Sequence, residues 1–187
     1  MQNTYSTGIS RSLNLAFTAL GAVLIAVCSW ISIPTAVPFT MQTFAVFFAF
    51  TVLGGRRGTL AVLVYILMGV VGLPVFAGFQ GGIGALAGAS GGYIIGFLGS
   101  ALVMWGMEKL AGRKPWMQVL IMILGLLVCY AFGTAWFMVV YMASTGPVGL
   151  LTVLGWCVFP FLLPDVLKIL LALVLGRRIG KYAAIRR

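Results

Sequence analysis

Asp165 and Lys168 stand three residues apart in the run Phe159-Pro160-Phe161-Leu162-Leu163-Pro164-Asp165-Val166-Leu167-Lys168, inside the last long apolar segment of the chain. The sequence has only one other acidic residue, Glu108. Desolvating a carboxylate or an ammonium is costly, so a charge pair in apolar surroundings needs a compensating interaction. At a spacing of three on a helix the two side chains share a face, with Lys168 about one turn further along. Two chemistries would satisfy them. A mutual ion pair lets both charges hide as packing, whereas a pair lining a cavity meets a polar solute. Ionisable groups inside membrane spans are functional by default, which favours the solute. Two opposite charges are too few for a channel or a proton relay. Pro164 fits the first turn of a helix, where its missing N–H is not needed, and Asp165 in that turn is favoured by the helix dipole.

Composition sets the elements that must hold such a pair. The 187 residues are 62% hydrophobic and only 7% charged, with a mean hydropathy of +1.15, whereas soluble domains are about one-quarter charged. The expectation is an all-α integral membrane protein, residues 1–187 forming a single membrane domain. The net charge of +10 forms neither a stripe nor an arm but clusters between apolar segments, which argues for a lipid bilayer and against nucleic acid. Histidine is absent, which removes Ser-His and Cys-His catalysis and the commonest metal ligand. With no acidic cluster either, the sequence implies no metal, no cofactor and no catalytic residue. Cys28, Cys129 and Cys157 lie in apolar sequence without metal or redox spacing and read as small buried hydrophobes.

Six apolar segments follow one another: residues 13–33, 39–53, 59–73, 93–107, 116–142, and from 150 or 160 to 175. The second and third fall short of the usual ~20 residues. The first competes with a signal-peptide reading, but a retained span suits it better, since bulky Val27 precedes Cys28 where a cleavage site wants a small residue. Its small residues Thr18, Ala22 and Ala26 recur every four positions, a slim face for close contact with a partner helix or with another span of the same bundle. Arg11, Arg56-Arg57, the cluster from Lys109 to Lys114 and the C-terminal cluster fall on alternate loops. The positive-inside rule then places both termini in the cytoplasm. Eleven of the twelve basic residues are inside, the exception being Lys168.

Between Pro74 and Gly92 glycine is too dense for a stable helix, and such backbone cannot face lipid. It lies outside, between spans three and four, or folds over the bundle as a lid. It lacks the Gly-Lys-Ser/Thr ending of a phosphate loop. Gln42, Gln80, Tyr93, Asp165 and Lys168 would give a cavity beneath it a few hydrogen-bonding groups among aromatic and aliphatic walls. That suits a small, partly apolar, anionic or amide-bearing molecule.

Val37-Pro38-Phe39-Thr40-Met41-Gln42, Gly72-Leu73-Pro74-Val75-Phe76, the glycine run ending Gly91-Gly92-Tyr93, and Pro160-Phe161 followed by Asp165 and Lys168 together resemble the BioY family. These are the biotin-specific S components of energy-coupling-factor (ECF) transporters. The resemblance runs in order over nearly the whole chain. It implies a six-helix bundle in a prokaryotic cytoplasmic membrane that binds biotin with high affinity at its outer face. Binding positions carry over to Gln42, Gln80, Gly91, Gly92, Tyr93, Asp165 and Lys168. Partners implied are a membrane-embedded T component and two ABC ATPases, with Thr18, Ala22 and Ala26 as the docking patch. An S component for thiamin or riboflavin, or a small intramembrane enzyme acting on lipid, are the competing functions.

Overall fold

The computed structural model describes residues 3–35 and 37–182, with side chains described for 12–35 and 37–180. The side chains of Arg11 and Lys181, and Arg186 and Arg187 altogether, therefore lie outside the described residues. The chain forms α1 (Asn3–Trp30), the two-residue strands β1 (Ser32–Ile33) and β2 (Phe39–Thr40), α2 (Gln42–Leu53) and α3 (Gly55–Val70). A 3-10 turn (Ala77–Phe79) and the short α4 (Ile83–Ala87) cross the glycine-rich region, followed by α5 (Gly91–Ala111), α6 (Pro115–Ser144), α7 (Leu150–Cys157) and α8 (Phe159–Tyr182).

Among the described residues four helices are long and apolar enough to cross a membrane: α1, α5, α6 and α8. The other two expected spans are shorter, α2 at 12 residues and α3 at 16 residues. They are joined without a loop. Gly54 alone separates them, at φ +82°, a left-handed conformation open to glycine at little steric cost. The Arg56-Arg57 pair, expected in a loop, instead occupies the first turn of α3. The expected last segment is also divided. The chain breaks at Val158, so α8 begins at Phe159 and the proline that occupies its first turn is Pro160. Pro164 lies inside the helix and Asp165 is not in its first turn, correcting that expectation. Pro164 has no N–H to offer the carbonyl of Pro160, and the helix continues past it.

The core is a hydrophobic cluster shared by α1, α2, α3, α5, α6 and α8. The helices α5 and α6 pack along each other more extensively than any other pair. Glycines permit this: a methyl group at Gly92 would strike Trp136, and one at Gly133 would overlap the Tyr93 ring. Such close backbone approach is the usual basis of helix association in lipid.

The slim face of α1 packs inward. Ala22 is 0%, Ala26 4% and Thr18 9% exposed, and a side chain on neighbouring Gly21 would touch Ala61 of α3 and Leu53 of α2. Ala22 and Ala26 therefore pack within the chain's own bundle, where small residues let α2 and α3 come close to α1. The small residues that α1 does expose include Ala16 and Ala19.

The two ends of the bundle differ in chemistry. At one, the Gly55 N–H donates to Glu108 Oε2 at 2.6 Å and Glu108 pairs with Arg113. Arg177 of α8 donates to the Arg113 carbonyl at 2.9 Å and to Gln118 Oε1 at 3.0 Å. Arg56, Arg57, Lys109 and Lys114 belong to this same end by sequence adjacency. The opposite end carries the β1–β2 pair, with Ser32 opposite Thr40, and the glycine-rich segment.

Candidate functional site

The glycine-rich segment is tied down at both ends. Ser29 Oγ of α1 donates to the Val75 carbonyl at 2.5 Å, Trp30 Nε1 to the Pro74 carbonyl at 2.9 Å, and Trp136 Nε1 of α6 to the Gly88 carbonyl at 3.0 Å. Between these tethers, Ala77, Gly78, Gly84 and Ala85 border a cavity of about 560 Å³ whose other walls come from the 34–43 region, α5, α6 and α8. That volume is in the range of small-molecule sites.

The charge pair lies in this cavity's wall because of the periodicity of α8. Phe161, Asp165, Lys168, Ile169 and Ala172 are buried at spacings of three and four that keep them on one helix face. Leu163, Val166, Leu167 and Leu170 on the other faces are exposed, as lipid-facing residues should be. Asp165 is 2% and Lys168 6% exposed.

Neither charge is left uncompensated. Lys168 Nζ donates to Asp165 Oδ1 at 2.8 Å, to the Thr40 carbonyl at 2.7 Å and to Thr43 Oγ1 at 3.2 Å. It also sits 4.1 Å from the centre of the Phe39 ring, a cation–π contact. Thr43 Oγ1 donates to Asp165 Oδ1 at 2.9 Å, and Tyr130 Oη donates to Asp165 Oδ2 at 2.6 Å. The ammonium has thus placed its three protons, whereas a carboxylate offers about four lone-pair sites. Asp165 Oδ2, with one donor, keeps room for an N–H from a solute. The ion-pair chemistry and the cavity-lining chemistry coexist here.

Of the residues singled out from sequence, Gln42, Gln80, Tyr93, Asp165 and Lys168 all border the one cavity. Gln42 is buried, its Nε2 donating to Tyr65 Oη at 2.6 Å, so protein rather than bulk water satisfies that amide. Gln80 is exposed at the rim, and its carbonyl accepts from the Phe76 N–H at 2.9 Å. Tyr93 Oη lies 3.5 Å from Thr134 Oγ1 and 3.4 Å from the Cys157 carbonyl, contacts loose enough for a solute to replace. Gly91 and Gly92 do not border the cavity. They form the first turn of α5 and pack against Leu86 and Trp136, while Gly88, Ala89 and Ser90 just before them do line it.

Sequence reasoning missed Tyr130 and Thr43 as site residues. Tyr130 stands in a long apolar helix, where a phenol reads as packing or an interface anchor. The available signal was physical: a hydroxyl at that depth needs a partner, and Asp165 is the only carboxylate in the neighbourhood.

Long apolar helices around a pocket whose wall holds a hydrogen-bonded charge pair define a membrane-embedded solute-binding bundle. The BioY family model matches residues 1–184, and the chain belongs to the BioY family. It is 37% identical over 166 residues to the biotin transporter BioY of Thermotoga maritima, which covers 88% of this chain and 92% of that protein. It is 34% identical over 171 residues to the probable biotin transporter BioY of Pyrococcus horikoshii, covering 90% of this chain and 97% of the relative. A crystal structure of the S-component for biotin from an ECF-type ABC transporter matches at a TM-score of 0.79 and 27% identity. That match covers 97% of this chain and 95% of the solved one.

Proposed function

We propose that this chain binds biotin with high affinity and serves as the S component of an ECF-type transporter. The observation that carries the reading is the coincidence of BioY relatives over nearly the full length with a cavity that suits this ligand. Biotin's bicyclic body is apolar and matches walls that include Val37, Ile94, Phe97 and Phe161. Its ureido group carries N–H donors and a carbonyl acceptor, and its carboxylate is anionic. Asp165 Oδ2 accepts a ureido N–H beside the Tyr130 hydroxyl, and Gln42, Gln80 and Tyr93 supply further polar contacts, with Gly91 and Gly92 shaping the adjoining turn. Lys168 meets a ligand oxygen only by giving up Thr40 or Thr43. Binding involves no covalent chemistry, and the chain is a transport subunit, not an enzyme.

Six membrane-crossing helices, α2 and α3 among them, alternate so that the basic end and both termini are cytoplasmic and the glycine-rich end faces outward. The grouping of basic residues at one end supports this orientation in a prokaryotic cell membrane. Energy comes from partners: a membrane-embedded T component and two ABC ATPases. The exposed side of α1 that carries Ala16 and Ala19 is the face left for docking. Opening of the glycine-rich segment as the loaded subunit turns within the membrane delivers biotin inside.

Biotin titration of detergent-purified protein, with thiamin and riboflavin as controls, tests the ligand. Saturable, roughly one-to-one binding of biotin alone is expected. Binding of thiamin or riboflavin in its place, or of no vitamin, would sink the biotin assignment.

A further inference from the structure

The two ends of the solute cavity differ in what they offer a ligand. Its inner wall holds Gln42, Tyr130, Asp165 and Lys168, all buried. Its mouth lies among Pro34, Thr35, Gly78, Gln80 and Gly84, which are exposed. A side chain at Gly78 or Gly84 would meet no atom within 4 Å, so the glycine-rich segment leaves space there. Charge is confined to the inner end. Among the described residues Lys168 is the only basic one on the cavity's wall. The sequence has no Lys, Arg or His at 12–55, 58–108 or 115–167, and every other wall residue falls inside those ranges.

That distribution decides which end of a urea-bearing acid goes in first. A carboxylate brought to Lys168 would share one ammonium with Asp165, whose Oδ1 is already 2.8 Å from Nζ, and two carboxylates at one buried site repel. It would also displace the Thr40 carbonyl or Thr43 Oγ1 from that nitrogen. A urea meets neither cost, because its N–H groups add donors to Asp165 Oδ2, which accepts from the Tyr130 hydroxyl and has room for more. With the urea inside, the tail runs out toward the mouth, where its carboxylate meets water and neutral groups such as the Gln80 side chain. A side-chain amide both donates and accepts, so it serves a neutral tail as well as an anionic one. On the biotin reading above, on which this rests, we propose that the site does not select for the free carboxylate and takes biotin amides, biotinyl-lysine among them, as a further class of ligand. The charge pair reads the urea, and the open mouth passes the substituted tail.

Competition against radiolabelled biotin on the detergent-purified full chain tests this with three unlabelled ligands: biotin, its primary amide and biotinyl-lysine. Both amides should compete within about 5-fold of biotin, since a solvent-exposed charge contributes at most about that factor. A larger loss for either amide, with labelled biotin still bound, overturns the inference and leaves the biotin assignment standing. Failure of labelled biotin to bind removes the assignment and the inference together. A second readout is the ratio of biotin to primary-amide affinity in the double variant Asp165→Asn with Lys168→Met. Both ligands should weaken by the same factor, because the urea is common to them. A double variant that loses biotin and spares the primary amide would show Lys168 holding the carboxylate, and that also overturns the inference.

Discussion

Lys168→Met removes one partner of a buried ion pair and leaves Asp165, 2% exposed, with an uncompensated charge. Breaking such a pair typically costs about 3–5 kcal/mol. Asp165 still accepts from Tyr130 at 2.6 Å and Thr43 at 2.9 Å, so the low end, about 3 kcal/mol, is expected. On the scaling of soluble domains of this size, that lowers the melting temperature by about 6–12 °C. Asp165→Asn strands Lys168 in the same way, although the Thr40 carbonyl and the Phe39 ring soften the loss. The double variant Asp165→Asn with Lys168→Met removes both charges and keeps an acceptor for Tyr130, so most of the lost stability should return. Biotin affinity should not return with it. Losing a hydrogen bond to a charged group costs about 1.5–3 kcal/mol, so the double variant should bind about 10- to 150-fold more weakly. Thermal melts in detergent and calorimetric biotin titration on the three variants separate the two roles. A double variant that melts and binds like the wild type would reduce the pair to packing and place the ligand elsewhere.

Three further outcomes follow from the geometry. Gly133→Ala puts a methyl group into the Tyr93 ring and pushes that ring toward the cavity it borders; biotin affinity should fall, with a stability cost of about 1–3 kcal/mol, both read by the same two assays. Tyr130→Phe removes one donor to Asp165 and should cost about 1–3 kcal/mol, with a weaker biotin affinity in titration, whereas an unaltered melt and titration would show the phenol to be idle. Ala22→Trp overpacks a site that is 0% exposed and should abolish folded protein, while Ala16→Trp on the exposed side should spare biotin binding and impair assembly with a T component in a pull-down.

What the sequence made legible was set by strong one-dimensional signals. The long apolar runs became α1, α5, α6 and α8 because a span of that length has no other way to satisfy its backbone in lipid. Among the described residues, Arg56, Arg57, Lys109, Arg113, Lys114 and Arg177 gathered at one end for the reason that makes loop charge readable at all. Boundaries were less legible where two local rules compete. Pro160 and Pro164 both suit a helix start, and only the break at Val158 decides that Pro160 takes it. Gly54 and Gly55 read as loop, yet one left-handed glycine suffices to join α2 to α3.

The site divides along the same line. Asp165 and Lys168 were legible because a charge in an apolar run is an anomaly in the sequence itself, and the i, i+3 spacing fixes their common face. Their partners were not, since Thr40 and Thr43 lie more than 120 residues away and Tyr130 looks like any aromatic in a span. A spacing of four small residues is equally ambiguous: Thr18, Ala22 and Ala26 satisfy close packing whether the neighbour is another subunit or the same chain. Their burial within this chain is a property of the fold and not of the spacing. The same holds for Gly92, whose place in the α5–α6 contact shows only in the fold, where a side chain there would strike Trp136. Glycines in a membrane bundle mark where two surfaces meet, and only the third dimension says which two.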